Sequence, residues 1–242
     1  MHDKEDTYFG TVAEHYDGLQ PIIAGPHYAT GIDTIIKLIP YGPGAVFAVV
    51  ELGCGTATIA EKILSTYDNA RAVVVDAQPA MLEIAKAKLL GYVDRADVVE
   101  ADLLDCSIPE CDIIVSSFTL HHLSPTDLQV LLTRMRESLS ADGYLLVMDS
   151  MRMDHDWDDH ISRLNRSWNE VHVRSHIEAG ETTEEEIAKR WAFKRKMKEE
   201  GKDTEYKHRV EEYYQYLKQA GFMEYAVVWR TFLITILVAA GM

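Results

Sequence analysis

Basic residues are scarce in this chain. Lys and Arg together number 24 against 39 Asp and Glu, a formal net charge of -15. A nucleic-acid partner needs clustered cations to displace counterions from phosphates, so this balance argues against one. Cysteine is scarce too. Cys54, Cys106 and Cys111 are odd in number and fit no Cys-x-x-Cys metal spacing. Free thiols in a reduced, cytoplasmic setting are the expectation. Long apolar runs are missing: the stretch over 232–240 is about half of what a bilayer demands, so no membrane partner is expected. The opening Met1-His2-Asp3-Lys4-Glu5-Asp6 lacks the apolar centre of a signal peptide. No internal repeat or low-complexity linker breaks the 242 residues, and 47% of them are hydrophobic. That is enough for one domain with an inserted subdomain.

What is present is an alternation of apolar runs and amphipathic stretches. The first forty residues read as helical. Tyr8, Phe9, Val12, Ala13 and Tyr16 share one face, and Tyr28, Ile32, Ile35, Ile36 and Ile39 share another before Pro40 and Gly42. Strands are expected at 46–52, 72–76, 96–100, 112–116 and 144–148, with Asp142-Gly143 as the turn into the last. Helices follow from Thr56, Pro79 and Pro125. Continuous apolar strands between such helices mean a parallel sheet covered on both faces. Residues 151–210 break the rhythm with charged, His- and Trp-bearing helices, too long for a plain connection. They read as a cap over a substrate pocket, or else as a solvated decoration or dimer arm. Two β-rich runs, 224–229 and 233–239, close the chain as a hairpin. The expected organisation is a single domain: a helical lid over 1–42, a core over 43–150, a cap over 151–210, and a last helix and hairpin over 211–242.

The core opens with Glu51-Leu52-Gly53-Cys54-Gly55-Thr56-Ala57-Thr58. An apolar strand ends in an acid, and glycines let a ligand lie against the turn. A dinucleotide-binding turn wants G-x-G-x-x-G, and Thr58 stands where the third glycine belongs, so that reading fails. Glu51 to Ala57 resembles motif I of class I S-adenosylmethionine (SAM)-dependent methyltransferases, E/D-x-G-x-G-x-G, with Ala57 replacing the last glycine and narrowing that side of the pocket. Val75 to Leu82 resembles the second motif, whose acid holds both ribose hydroxyls; here that is Asp76. Glu100-Ala101-Asp102-Leu103 is similar to the adenine-reading turn. Residues 112–123 are similar to the fourth strand and its active-site loop, and Leu139 to Asp149 to the fifth strand. The resemblance implies a Rossmann-like seven-stranded mixed sheet of order 3-2-1-4-5-7-6, strand seven antiparallel. It also implies a SAM site, with S-adenosylhomocysteine as product. Cofactor contacts are expected from Tyr16, Glu51, Gly53, Cys54, Gly55, Asp76, Ala77, Met81, Asp102, Leu103, Ser117 and Phe118.

Methyl transfer from a sulfonium is an in-line displacement that needs alignment and water exclusion; a base is needed only for a protonated acceptor. The loop after strand four, Ser117-Phe118-Thr119-Leu120-His121-His122, lacks D/N-P-P-Y and Pro-Cys, which argues against DNA-base methylation. His121 and His122 are the candidate bases, although adjacent residues point in different directions. Tyr28, His122, Trp157 and Arg190 are the candidate acceptor contacts. His172 with His176, and His155 with His160, lack a third metal ligand and read as surface residues, so no metal is expected. The expected function is methylation of an O, N or S atom of a small-molecule acceptor, with a homodimer as the assembly left open. A narrower resemblance, through Ser117 to Leu120 and the closing hairpin, is to carboxy-SAM synthases. In that family a Tyr of the second helix and an Arg-Tyr pair of the inserted helix hold an extra carboxylate. Tyr28 matches the first, and Arg190-Trp191 matches the pair with Trp in place of Tyr, but the family's G-C-S-x-G turn is absent. A carboxy-SAM synthase-like enzyme and a non-catalytic SAM-binding protein are therefore the alternatives.

Overall fold

The computed structural model describes residues 13–153, 157–201 and 203–241. Tyr8, Phe9 and Val12 of the expected first helix, and His155 with its neighbouring acids Asp154 and Asp156, lie outside the described residues. A short 3-10 turn, Ala13–His15, leads into α1 (Tyr16–Ala24), and α2 (Tyr28–Leu38) follows. The core then alternates: β1 (Phe47–Leu52), α3 (Thr58–Thr66), β2 (Ala70–Asp76), α4 (Pro79–Lys88), β3 (Ala96–Glu100), β4 (Cys111–Ser117), α5 (Pro125–Ser138) and β5 (Leu139–Ser150). Two helices, α6 (Asp158–Glu178) and α7 (Glu184–Glu199), fill the insert. The chain ends with α8 (Val210–Gln219), β6 (Glu224–Thr231) and β7 (Ile234–Ala240).

The strands form one sheet of order β3-β2-β1-β4-β5-β7-β6. The first five strands pair in parallel, and β7 runs antiparallel to β5 and β6. This is the order that the resemblance implied. Its cause is visible in alternate residues. Phe47 and Val49 of β1, Ile113 and Val115 of β4, and Leu146 and Met148 of β5 face the core under α2, α3 and α4. Val50, Leu52, Ile114, Leu145 and Val147 face the core under α5 and α8. With both faces covered, the strands must be apolar throughout, which is why they read as runs rather than alternations.

The fifth strand differs from expectation. No turn separates it from what precedes: β5 already pairs at Leu139 with Cys111, and next at Tyr144 with Ile113. The surplus residues between form a bulge. A Cβ on Gly143 would come 3.0 Å from the Ser140 carbonyl oxygen and 3.1 Å from that of Asp112, so the glycine is there for close backbone approach. None of the described helices is long and apolar enough to cross a membrane.

The Tyr16–Ala24 helix is tied to the first core turn through side chains. Thr56 Oγ1 donates to Asp17 Oδ1 at 2.6 Å, and Lys88 Nζ bridges Asp17 Oδ2 at 2.7 Å and Thr58 Oγ1 at 2.8 Å. At the other edge of the site, Ser124 caps α5 by accepting from the Asp127 N–H at 3.2 Å, directly after the loop that carries both candidate histidines. Ser124→Ala should cost about 1 kcal/mol and Ser124→Gly only a few tenths, read by chemical denaturation. Equal losses for the two variants would show that the hydroxyl is not the cap.

Candidate active site

At the carboxyl ends of β1, β2 and β4, loops converge on a cleft of about 220 Å³. The turn after β1 is held to the next strand, because Gly53 N–H and Cys54 N–H both donate to the Val75 carbonyl oxygen, at 2.8 and 3.0 Å. Its two glycines do different work. Gly53 has φ +69, and a Cβ there would sit 2.1 Å from Thr119, so this glycine makes room for the β4 loop. Gly55 has φ +52 with nothing within 4 Å of its missing Cβ, so this one leaves open space for a ligand. Ala57 also has positive φ, +57, yet it is fully buried and is absent from the cleft lining. The expected narrowing of the pocket does not occur. Alanine instead imposes a backbone cost of about 1 kcal/mol in the left-handed region.

Acids dominate the cleft. Glu51, Asp76 and Asp102 line it, and among the described residues no Lys or Arg does. Asp76 Oδ2 accepts from Gly55 N–H at 2.8 Å and Oδ1 from Gln78 N–H at 2.9 Å. Each oxygen keeps a further lone-pair direction, enough for two hydroxyls. Burial raises the Asp76 carboxyl above its usual range, against these backbone donors. Glu51 is only 3% exposed, and its Oε2 accepts from Ala60 N–H at 2.9 Å, anchoring the first turn of α3. Burial pushes its carboxyl up to about 8, against the pull of that donor and of Lys88. Asp102 is exposed and turns its own loop by accepting from Leu104 N–H at 2.9 Å. A cleft with this set of acids suits the cationic sulfonium and ammonium of SAM. It does not suit a pyrophosphate.

A second cavity, about 650 Å³, adjoins the first; Tyr16 and Phe118 line both. Phe118 forms this junction with φ +49, an uncommon conformation for a bulky residue, held by its N–H to the Met148 carbonyl oxygen at 2.8 Å. Its ring stacks on Tyr28 at 5.8 Å between centroids. Burial first, then the nearby charges of Glu51 and Asp17, push the Tyr28 phenol far above its ordinary range, so it stays neutral.

The two adjacent histidines part here. His121 lines the second cavity and His122 the first. Asp149, 1% exposed at the end of β5, holds His121 twice: Oδ2 accepts from its backbone N–H at 2.9 Å, and Oδ1 lies 2.5 Å from Nδ1. A carboxylate opposite Nδ1 places the imidazole proton there and leaves Nε2 as the acceptor. His122 Nδ1 donates to the Thr204 carbonyl oxygen at 2.8 Å. Burial, then the charge of His121, lowers the His122 pKa.

Every residue named as a cofactor contact lines the first cleft. Tyr28 and His122, expected at the acceptor, line that cleft as well. Trp157 and Arg190 line neither cavity. Trp157 is 61% exposed beside His160, and Arg190 is buried with its guanidinium 5.7 Å from the Tyr16 ring. Gln78 and Thr119 of the cleft were not anticipated, nor were Arg166, Lys194 and Arg195 of the second cavity; Trp191, paired with Arg190 in the carboxy-SAM synthase resemblance, does line that cavity. The cavity residues sit on α6 and α7, whose facing could not be read from weak apolar patterning. Among the described residues, no group of three His, Cys, Asp or Glu is placed to hold a metal.

Comparison with known proteins agrees with this geometry. Residues 49–143 match the family described as methyltransferase domain. Over 132 residues the chain is 29% identical to a carboxy-S-adenosyl-L-methionine synthase of Wolinella succinogenes, covering 52% of this chain and 54% of that one. The chain thus spans about half the length of the curated relatives it matches. Its fold is shared with an O-methyltransferase family 2 protein of Planctomyces limnophilus, solved with apigenin: TM-score 0.65, 16% identity, 100% of this chain and 62% of that one. It is shared too with human N-acetylserotonin methyltransferase, solved with SAM: TM-score 0.61, 18% identity, 98% of this chain and 60% of that one. The resemblance to class I SAM-dependent methyltransferases read from the motifs therefore holds in domain and in fold.

The buried Glu51 has a measurable signature. Its carboxyl moves from 4.5 to about 8 on folding. Between these values the folded protein keeps a proton that the unfolded chain has released. Stability should therefore fall as pH rises across that window and level off above it. Glu51→Gln keeps an acceptor for Ala60 and should flatten this part of the profile, as compared by thermal melts from pH 5 to 9. A wild-type profile parallel to that of the variant would refute the buried, protonated carboxyl.

Proposed function

We propose that the protein is a SAM-dependent methyltransferase acting on an O, N or S atom of a small-molecule acceptor. SAM lies in the acidic cleft and the acceptor in the second cavity. The observation that carries this reading is the junction at Tyr16 and Phe118. It joins a cleft lined by three acidic side chains to a separate cavity on whose wall His121 stands, backed by Asp149. SAM supplies a methyl group on a positively charged sulfur, already activated for displacement. The chain's part is then to align, to dry and to move a proton. Asp76 binds the ribose hydroxyls, Asp102 the adenine amine, and the acceptor oxygens of Asp76 and of the protonated Glu51 favour the cationic end. Phe118 and Tyr28 exclude water around the methyl group. Where the acceptor carries a proton, His121 Nε2 takes it, and Asp149 holds the Nδ1–H and stabilises the imidazolium that results. The cysteines are all free and buried, which fits the reduced, cytoplasmic setting.

The curated relatives favour a second reading, synthesis of carboxy-SAM. It needs Arg190 beside the donor, whereas Arg190 lies behind Tyr16 and outside both cavities. The ordinary Gly53-Cys54-Gly55 turn also favours methyl transfer. Mass spectrometry of the ligand that co-purifies with the protein separates the two: SAM or S-adenosylhomocysteine supports methyl transfer, and a carboxylated SAM overturns it.

Two substitutions test the roles. Asp76→Ala should weaken SAM binding at least about tenfold by calorimetry, as expected when a doubly used carboxylate is lost. Unchanged affinity would remove Asp76 from the ribose. His121→Ala should lower turnover of a hydroxyl acceptor by about 10² to 10⁴, with SAM affinity nearly unchanged. Undiminished turnover would show that another group takes the proton.

A further inference from the structure

The second cavity has a charge that the rest of the chain does not. Against a formal net charge of -15, its walls carry Arg166, Lys194, Arg195, Lys198 and Lys207, with Glu205 as their acidic counterpart. Glu205 cannot balance them. Its side chain is 7% exposed and already ringed by Lys194 at 2.9 Å, Lys198 at 3.0 Å and Lys207 at 3.4 Å. Burial acts to raise its pKa, but these lysines outweigh burial and hold the carboxyl far below the usual range, so it is a fixed anion. Among the described wall residues, Glu205 is the one carboxylate beside three ammonium groups and two guanidiniums. The walls also carry Ile23, Phe118, Trp191, Leu233 and Ile234, an apolar surface in the same cavity as the cations and His121.

From this we infer that the acceptor is an organic anion. It is a small molecule with an apolar body and a carboxylate or phosphate group, held by Arg166 and Arg195, with its reacting atom directed to the Tyr16–Phe118 junction. The inference rests on the methyltransferase reading for the role of the cavity. The physical reasons are independent of that reading. Like charges gathered in a concave, partly apolar site raise its potential and draw anions in. A guanidinium fork meets a carboxylate or phosphate through paired N–H donors, which an ammonium cannot do. The arrangement also separates the two reactants by charge. The acidic cleft disfavours an anion, and the basic cavity disfavours a cationic donor, so each ligand is directed to its own side.

The test uses the full chain saturated with S-adenosylhomocysteine and three probes of one shape: benzoate, phenyl phosphate and neutral benzamide. Calorimetry should show benzoate or phenyl phosphate binding at least about tenfold tighter than benzamide. The stronger of the two anions identifies the group recognised. In the Arg166→Ala/Arg195→Ala variant this preference should vanish, while affinity for S-adenosylhomocysteine changes less than about twofold. Both arginines are exposed, so the fold should survive the change, and Arg166→Lys/Arg195→Lys should restore part of the preference. Benzamide binding as tightly as either anion, no detectable anion binding, or an undiminished preference in the double-alanine variant would each overturn the inference. Failure of S-adenosylhomocysteine to bind wild type would instead count against the methyltransferase reading. The anion titration would then be judged on the protein alone.

Discussion

Two carboxylates at strand ends hold this site together, Asp149 buried and Asp76 partly so. Asp76 closes β2, and its oxygens take the amides of Gly55 and Gln78. Asp149 closes β5, and its oxygens take the amides of His121 and Ser150 and face the His121 ring. Each reaches across to the loop that follows a neighbouring strand. A parallel sheet delivers its loops to one edge without pairing them to each other, so something must fix their mutual positions. Here these two acids do it, because a carboxylate can accept several N–H bonds at once and those bonds are strong in a low-dielectric setting. Removing either acid would free a loop as well as a contact.

With the loops fixed, the division of charge follows from topology. The cleft lies over β1, β2 and β4, where Glu51, Asp76 and the Asp102 turn after β3 contribute acids and, among the described residues, His122 is the basic side chain on the wall. The second cavity lies against the insert, and the basic end of α7 supplies Lys194, Arg195 and Lys198 to it. The cations at that end also suit the helix dipole, and the triple glutamate at its start suits the opposite pole. Tyr16 and Phe118 stand where the two fields meet. The Tyr16 helix is kept there by Asp17, which is bonded to Thr56 and Lys88.

Much of this was legible in the chain. Doubly covered strands advertise themselves as unbroken apolar runs, and the strand-end acids Glu51, Asp76 and Asp102 sit at fixed steps after them. The runs announced a parallel sheet covered on both faces, while the sheet order and the cleft residues came from the resemblance of the motifs around those acids to class I SAM-dependent methyltransferases. The bulge at Gly143 was not legible, because Asp142-Gly143 is also an ordinary turn signal. Only the backbone approach to Asp112 shows the difference. The insert was the least readable part. None of α6 is buried, and α7 buries Ile187, Arg190 and Met197 at intervals that include a charged residue. An apolar stripe therefore did not announce which face turns inward, and Trp157 and Arg190 were placed at the acceptor while Arg166 and Arg195 were passed over. The glycines were seen, but their separate tasks were not. Contact between Gly53 and Thr119 joins residues far apart in sequence.

In the proposed reaction the cleft receives the nucleoside and its reactive sulfur points through the Tyr16–Phe118 junction toward His121. A crystal structure of the protein with S-adenosylhomocysteine tests this directly. The expected result is ribose hydroxyls on Asp76, adenine beside Asp102, and the sulfur facing the junction. A ligand bound elsewhere, or one lying in the cleft with its sulfur turned away from the second cavity, would contradict it.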